Sequence, residues 1–362
     1  MHAIAGIAGR PTLARRLLVI VSAVAMAVGM TSLPAQGAEP VNRGLFGSQD
    51  PTYDGVYRQA YALMGLAAID ERAPRITIEW LLSQQCADGS FVAYRADLDV
   101  PCPEPDPAAY TGPDTNSTSL AALALLEHGE TRAAQRAIDW LKRIQLPGGG
   151  WGYVEGSPAD SNSTALSLEA IESVPGTQAQ QRAAKRWLTR QIAPCSAPVG
   201  ERFGIRYQPG ALPDGISSSQ GLLALTDALP VRELSQRNAL PSVTCTANGK
   251  PANAALAVAR WVGATINTNA GSIPDPFTDG ASDWNSTALG IVGMVASRTS
   301  GRATQLALTS LQANAEDYVN DGTGDRPAAL GTLLLVTTAT GSDATDFGGI
   351  DLTMRLLDTI QE

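Results

Sequence analysis

Histidine is almost missing from this chain: of 362 residues, only His2 and His128. A Ser-His-Asp or Cys-His relay would have to run through His128, and no Gly-x-Ser-x-Gly turn is present to carry a nucleophile. Lysine is scarce too, with Lys142, Lys185 and Lys250 alone. The 26 basic residues face 35 acidic ones, for a net charge of -9. Such a chain is repelled by phosphate backbones, which argues against nucleic acid as a partner. Aromatic residues make up 5%, too few for the aromatic-lined cavity that steadies carbocations. Past residue 38 no apolar run approaches the ~20 residues of a membrane span. No Cys-x-x-Cys occurs and His128 is far from every cysteine in sequence, so no metal site is expected.

What is present begins with an export signal. Arg10, Arg15 and Arg16 precede the apolar run from Leu17 to Met30, and small residues follow up to Ala38. Residues 1–38 therefore read as a signal peptide, leaving 43–362 as one domain of a secreted, extracellular protein. In oxidising surroundings the cysteines Cys86, Cys102, Cys195 and Cys245 form two disulfides. Three pairings are open; Cys86–Cys102 with Cys195–Cys245 is favoured because each closes a local loop.

The domain repeats itself. Ile78-Glu-Trp-Leu-Leu-Ser-Gln-Gln85 aligns with Ile138-Asp-Trp-Leu-Lys-Arg-Ile-Gln145, and each Gln is followed four residues later by a glycine, Gly89 or Gly149, and six residues later by an aromatic, Phe91 or Trp151. Apolar residues recur at three and four along two kinds of segment, so both kinds are helices. Six segments are apolar nearly all round and begin near Asp54, Asp114, Asp160, Ser217, Asp283 and Arg326. Six amphipathic ones alternate with them, near 73–85, 131–145, 177–192, 252–267, 302–316 and 347–361. Helices apolar on all sides need cover on most sides. The economical packing is an all-α (α/α)6 toroid: six helical hairpins, with an inner ring of helices wrapped by an outer one.

Trp80-Leu81-x-x-x-Gln85-x-x-x-Gly89-x-Phe91 and Trp140-Leu141-x-x-x-Gln145-x-x-x-Gly149-x-Trp151 resemble the Gln-Trp repeats of squalene and hopene cyclases and the related repeats of protein prenyltransferase β subunits. The resemblance implies the same toroid. The fourth and fifth hairpins depart from it: Ser217 to Gln220 lacks an Asp-x-Asn, and Ile273 stands where an aromatic is expected. The family's activities find no counterpart residues. The cyclase acid, Asp-x-Asp-Asp, is absent, with Asp97-Leu98-Asp99 the nearest run, and the prenyltransferase zinc triad has no match. Cobalamin carriers of the intrinsic factor type are similar in ring architecture, and this resemblance alone makes a corrinoid a possible ligand.

Asp-x-Asn-Ser-Thr occurs three times, at Asp114, Asp160 and Asp283, each opening an inner helix. These are N-cap residues, and each cap is worth ~1 kcal/mol. In a toroid every inner helix starts at the same end. Asp114, Asn116, Asp160, Asn162, Asp283, Trp284 and Asn285 are therefore expected at one mouth of the ring, with Tyr153 and Tyr94 beside it. Six converging helix starts carry partial positive charge, which the Asp carboxylates offset. The expected rim suits an uncharged polar ligand, a small molecule or a peptide. Binding without catalysis is thus the expected function. The rival readings are a terpenoid-type cyclase, a glycoside-cleaving enzyme using Asp114 and Asp160 on adjacent hairpins, and a surface interaction module.

Overall fold

A computed structural model describes residues 42–226, 229 and 235–362. The signal expected in 1–38 lies outside the described residues, as do Asp227 and Ala228 of the segment expected to begin near Ser217. The inner helices are α1 (Gly55–Ala68), α3 (Thr115–Glu127), α5 (Ser161–Glu172), α7 (Gly215–Thr226), α9 (Trp284–Ala296) and α12 (Pro327–Thr340). The outer helices are α2 (Arg75–Ser83), α4 (Thr131–Ile144), α6 (Gln178–Gln191), α8 (Ala254–Thr268), α10 (Gly301–Ala313) with α11 (Ala315–Val319), and α13 (Leu352–Asp358).

Burial follows the sequence pattern. Leu120 to Leu125 of α3 are buried without interruption. In α4 only Ala133, Ala134, Ala137, Ile138, Trp140 and Leu141 are, the three-and-four spacing of a helix covered on one side. Each inner helix packs on the next, α1 on α3, α3 on α5, α5 on α7, α7 on α9 and α9 on α12, and α12 packs back on α1. The ring is closed. Its tightest joint is between α12 and α1, where Gly65 and Gly331 let two backbones touch: a Cβ on Gly331 would lie 2.3 Å from the Tyr61 carbonyl oxygen.

Two local features depart from the expectation. The fifth outer helix is broken, because Asn314 ends α10 and starts α11. The domain is also not purely helical: β1 (Ile273–Pro274) and β2 (Ser282–Asp283) form a short antiparallel hairpin before α9.

The turns after the outer helices are built alike. Nε2 of Gln85 donates to the carbonyls of Gly89 (3.0 Å) and Ala133 (2.9 Å), and Nε2 of Gln145 to those of Gly149 (2.8 Å) and Gln180 (3.2 Å). Each Gln thus ties its own turn to the following outer helix. Gly89 (φ +98°) and Gly149 (φ +95°) sit where a Cβ would come within 2.5 Å of the carbonyl oxygen of Arg136 or Ala183. Gly44 (φ +89°) meets Ile76 in the same way. The turn after α13 is therefore completed by the other end of the chain: Gly44 N–H donates to Gln361, and Gln361 N–H to Leu45. The disulfides are Cys86–Cys102 and Cys195–Cys245, the favoured pairing.

Candidate functional site

The inner helix starts share one construction. Asp114 Oδ1 accepts the Ser117 N–H at 2.7 Å, Asp160 Oδ1 that of Ser163 at 2.8 Å, and Asp283 Oδ1 that of Ser286 at 2.8 Å. The capping expected of the three motifs is what their side chains do. A fourth copy escaped the sequence pattern: Asp214 Oδ1 accepts the Ser217 N–H at 2.7 Å. The working unit is Asp-x-x-Ser followed by Ser or Thr, and the Asn is not part of it.

The last hydroxyl of the unit has its own task. The N–H groups of Phe91, Trp151, Ile205 and Ile273 donate to Thr118 (2.9 Å), Thr164 (3.0 Å), Ser218 (2.9 Å) and Thr287 (2.9 Å). In return, the N–H groups of Asp114, Asp160 and Asp214 donate to the carbonyls of Phe91, Trp151 and Ile205. Each turn is thereby locked onto the start of the next inner helix. α1 and α12 differ. Asp54 makes no capping bond and lies 3.8 Å from Arg58, while α12 begins at Arg326 with Pro327 in its first turn.

The Asn side chains take no part in the caps. Asn116, Asn162 and Asn285 are half-buried, as are Ile216 and Ala328 at the matching positions of α7 and α12. In α1 Gln59 answers the Phe46 N–H at 2.9 Å, which puts Tyr57 at the equivalent place. These six residues hold the same place at the starts of the six inner helices. Oδ1 of Asn116 and of Asn162 are buried and accept no hydrogen bond. Asn285 Oδ1 accepts from the Tyr318 hydroxyl at 3.1 Å. A cleft of about 320 Å³ opens here, with Tyr57, Asn285, Tyr318 and Ala328 in its wall. Burial pushes the Tyr61 hydroxyl of α1 well up, and the charge of Glu169 on α5 adds to the effect.

Burial pushes the Asp114 and Asp160 carboxyls up to about 6, against the pull of the serine donors. Asp214 and Asp283 are raised for the same first cause. In three of the four caps the serine hydroxyl also donates to the second oxygen: Ser163 to Asp160 (2.9 Å), Ser217 to Asp214 (2.8 Å) and Ser286 to Asp283. Asp114 is the exception. The Ser117 hydroxyl helps hold its pKa down but makes no hydrogen bond to Oδ2. Close to that carboxylate lies Tyr153, whose hydroxyl is pushed up first by the Asp114 charge and then by burial.

Asp114 and Tyr153 line a second cleft, of about 500 Å³, together with Tyr53, Tyr94 and Tyr110. Tyr94 stacks on Trp80, with ring centroids 6.4 Å apart. Trp284 is half-buried against the core at the start of α9. His128 ends α3, its Nε2 3.0 Å from the Leu63 carbonyl oxygen. Tyr53 and Tyr110 were not singled out in the sequence, because loop aromatics outside the repeat carry no positional signal.

No protein-family model matches the chain, and no curated protein matches it. Among solved structures it is similar to ent-copalyl diphosphate synthase from Streptomyces platensis, at 17% identity and a TM-score of 0.50 over 79% of this chain and 50% of that one. It is also similar to a family 76 glycoside hydrolase from a bovine Bacteroides thetaiotaomicron strain, at 11% identity and a TM-score of 0.52 over 81% of this chain and 72% of that one. The chain spans about half the length of the synthase. The likeness is one of fold: this is an α/α toroid of the kind found in terpene cyclases and this hydrolase.

Proposed function

We propose that this is a secreted, non-catalytic binding protein that holds a small-molecule or peptide ligand at the mouth of the toroid. The observation that carries the reading is the pair of unanswered acceptors at the rim, Oδ1 of Asn116 and of Asn162. A buried acceptor left without a donor costs ~1–3 kcal/mol, and a ligand donor relieves that cost.

The carboxylates support binding over catalysis. An inverting glycosidase pair needs one acid and one base, set apart by their surroundings. Asp114 and Asp160 are instead both held at about 6 by burial. Asp160 has both oxygens engaged in its own helix start. Export accords with the two disulfides and with the absence, among the described residues, of a helix long and apolar enough to cross a membrane.

Native mass spectrometry of protein recovered from its source tests the reading. A bound mass that disappears in the Asn116→Ala, Asn162→Ala double variant is expected. Cyanocobalamin co-eluting with the protein on a sizing column supports a corrinoid, and colourless protein fractions remove that ligand. Reducing ends released from polysaccharides by the wild type but not by Asp160→Asn would overturn the non-catalytic reading.

A further inference from the structure

The cleft of Tyr53, Tyr94, Tyr110, Tyr153 and Asp114 has a chemistry of its own. Half of the chain's eight tyrosines line it. Its loop, from Cys86 to Asp114, carries Asp88, Asp97, Asp99, Glu104, Asp106 and Asp114 against the single base Arg95. That base is turned inward: Nη1 donates to the carbonyls of Ser83 (3.2 Å) and Gln85 (3.3 Å), and Nη2 to those of Leu98 (2.7 Å) and Val100 (3.0 Å). Arg95 holds the loop together and its hydrogen bonds go to the backbone. Asp114, 2% exposed, forms part of the lining and accepts nothing at Oδ2, whereas its counterparts Asp160, Asp214 and Asp283 have both oxygens answered.

The loop is also built in advance of any ligand. The Cys86–Cys102 disulfide pins it. Asp106 and Thr111 exchange backbone hydrogen bonds at 2.8 and 3.2 Å, and Asp106 Oδ1 accepts from Ala108 and Ala109. That turn holds Tyr110 in the left-handed region, at φ +55°, and presents its ring 42% exposed. A non-glycine residue kept there costs of order 1 kcal/mol, and such strain gathers at binding sites.

We propose that this cleft takes an organic ammonium group. Tyrosine faces attract cations, and a desolvated carboxylate gains far more from a cation than from a hydroxyl. The uncharged ligand expected from sequence took the Asp carboxylates to be balanced by the helix starts, and Asp114 keeps one oxygen unanswered. The inference rests on the reading that the mouth binds a ligand, and it names the group recognised at the edge of that mouth.

Titration of the full chain at pH 7.5 with choline, and with its neutral isostere 3,3-dimethylbutan-1-ol, followed by tyrosine fluorescence or NMR, tests it. Choline is expected to bind about tenfold more tightly than the alcohol. Asp114→Asn keeps a good cap and is expected to lose that preference, as is Tyr110→Ala. Asp214→Asn, the same change at the start of α7, where both carboxylate oxygens are answered, is expected to leave it intact. N-acetyl-lysine amide binding above choline identifies a peptide side chain as the source, and choline above it a quaternary headgroup; both support the inference. Equal affinity for choline and the alcohol, no binding of either, or a preference that survives Asp114→Asn overturns it. The broader reading fails separately, when native protein carries no ligand sensitive to Asn116 and Asn162.

Discussion

The backbone N–H of Phe46 donates to Oε1 of Gln59 at 2.9 Å, locking onto α1 the turn that Gly44 and Leu45 complete with Gln361 from the far end of the chain. Phe91 and Thr118 make the equivalent bond one hairpin further along the chain. Gln59 reaches further, its Nε2 donating to the carbonyls of Gly44 (3.0 Å) and Thr77 (2.7 Å). The joint is as fully bonded as the continuous turns.

Gly44→Ala is expected to open that joint. Its Cβ would sit 2.3 Å from the Ile76 carbonyl oxygen, in a backbone with φ +89°. A loss above ~2 kcal/mol in urea unfolding is expected. Gly176→Ala, at φ +85° with nothing within 4 Å, carries the backbone strain alone and should lose only ~1 kcal/mol. Equal losses would mean the contact with α2 contributes nothing.

Thr164→Val removes the acceptor of the Trp151 N–H while keeping the shape of the side chain. The orphaned donor is expected to cost ~1–3 kcal/mol. Thr164→Ser should stay near the wild type, since Ser218 does the same task for Ile205. Thermal unfolding of the two variants side by side decides it.

Asp114 and Asp160 give the protein a pH dependence of a stated sign. Burial raises both to about 6, above their ordinary 3.8. Between those values the folded state binds more protons than the unfolded one, so stability falls as pH rises from about 4 to 6. These two groups should therefore raise Tm at pH 5 relative to pH 7.5. Asp160→Asn, which caps without ionising, is expected to shrink the difference; an unchanged Tm profile would refute the assignment.

Cys86→Ser with Cys102→Ser frees a loop closed over 16 residues. Such a closure contributes ~3 kcal/mol in the chain-entropy account. Limited proteolysis should then cut within 87–112, where wild-type protein resists, and the preference for choline should weaken with it.

Much of the ring was legible in the residues. Periodicity at three and four marked both helix classes, because an inner helix covered on all sides and an outer one covered on one side cannot share a pattern. Asp114, Asp160 and Asp283 announced helix starts, since few residues can answer a free N–H there. Asp214 was passed over because the pattern was anchored on Asn, which faces the rim and plays no part in the cap. Gly44-Leu-Phe46 repeats Gly89-Ser-Phe91, yet its partner helix α13 lies at the far end of the chain, where local spacing reveals nothing. The break at Asn314 and the β1–β2 hairpin left no periodic mark.

Residue order alone set the two classes of helix, their number to within one among the described residues, the disulfide-prone loops and most of the helix starts. Each of these depends on neighbours within a few residues, through side-chain periodicity, capping and turn chemistry. Only the tertiary structure decided which polar groups remain unanswered. Asp114 and Asp160 are written in nearly the same words, and whether a serine hydroxyl meets the second carboxylate oxygen depends on the loop folded over it. A hydrogen bond is made or missed over less than an ångström, and that distance is set by packing between segments remote in the chain.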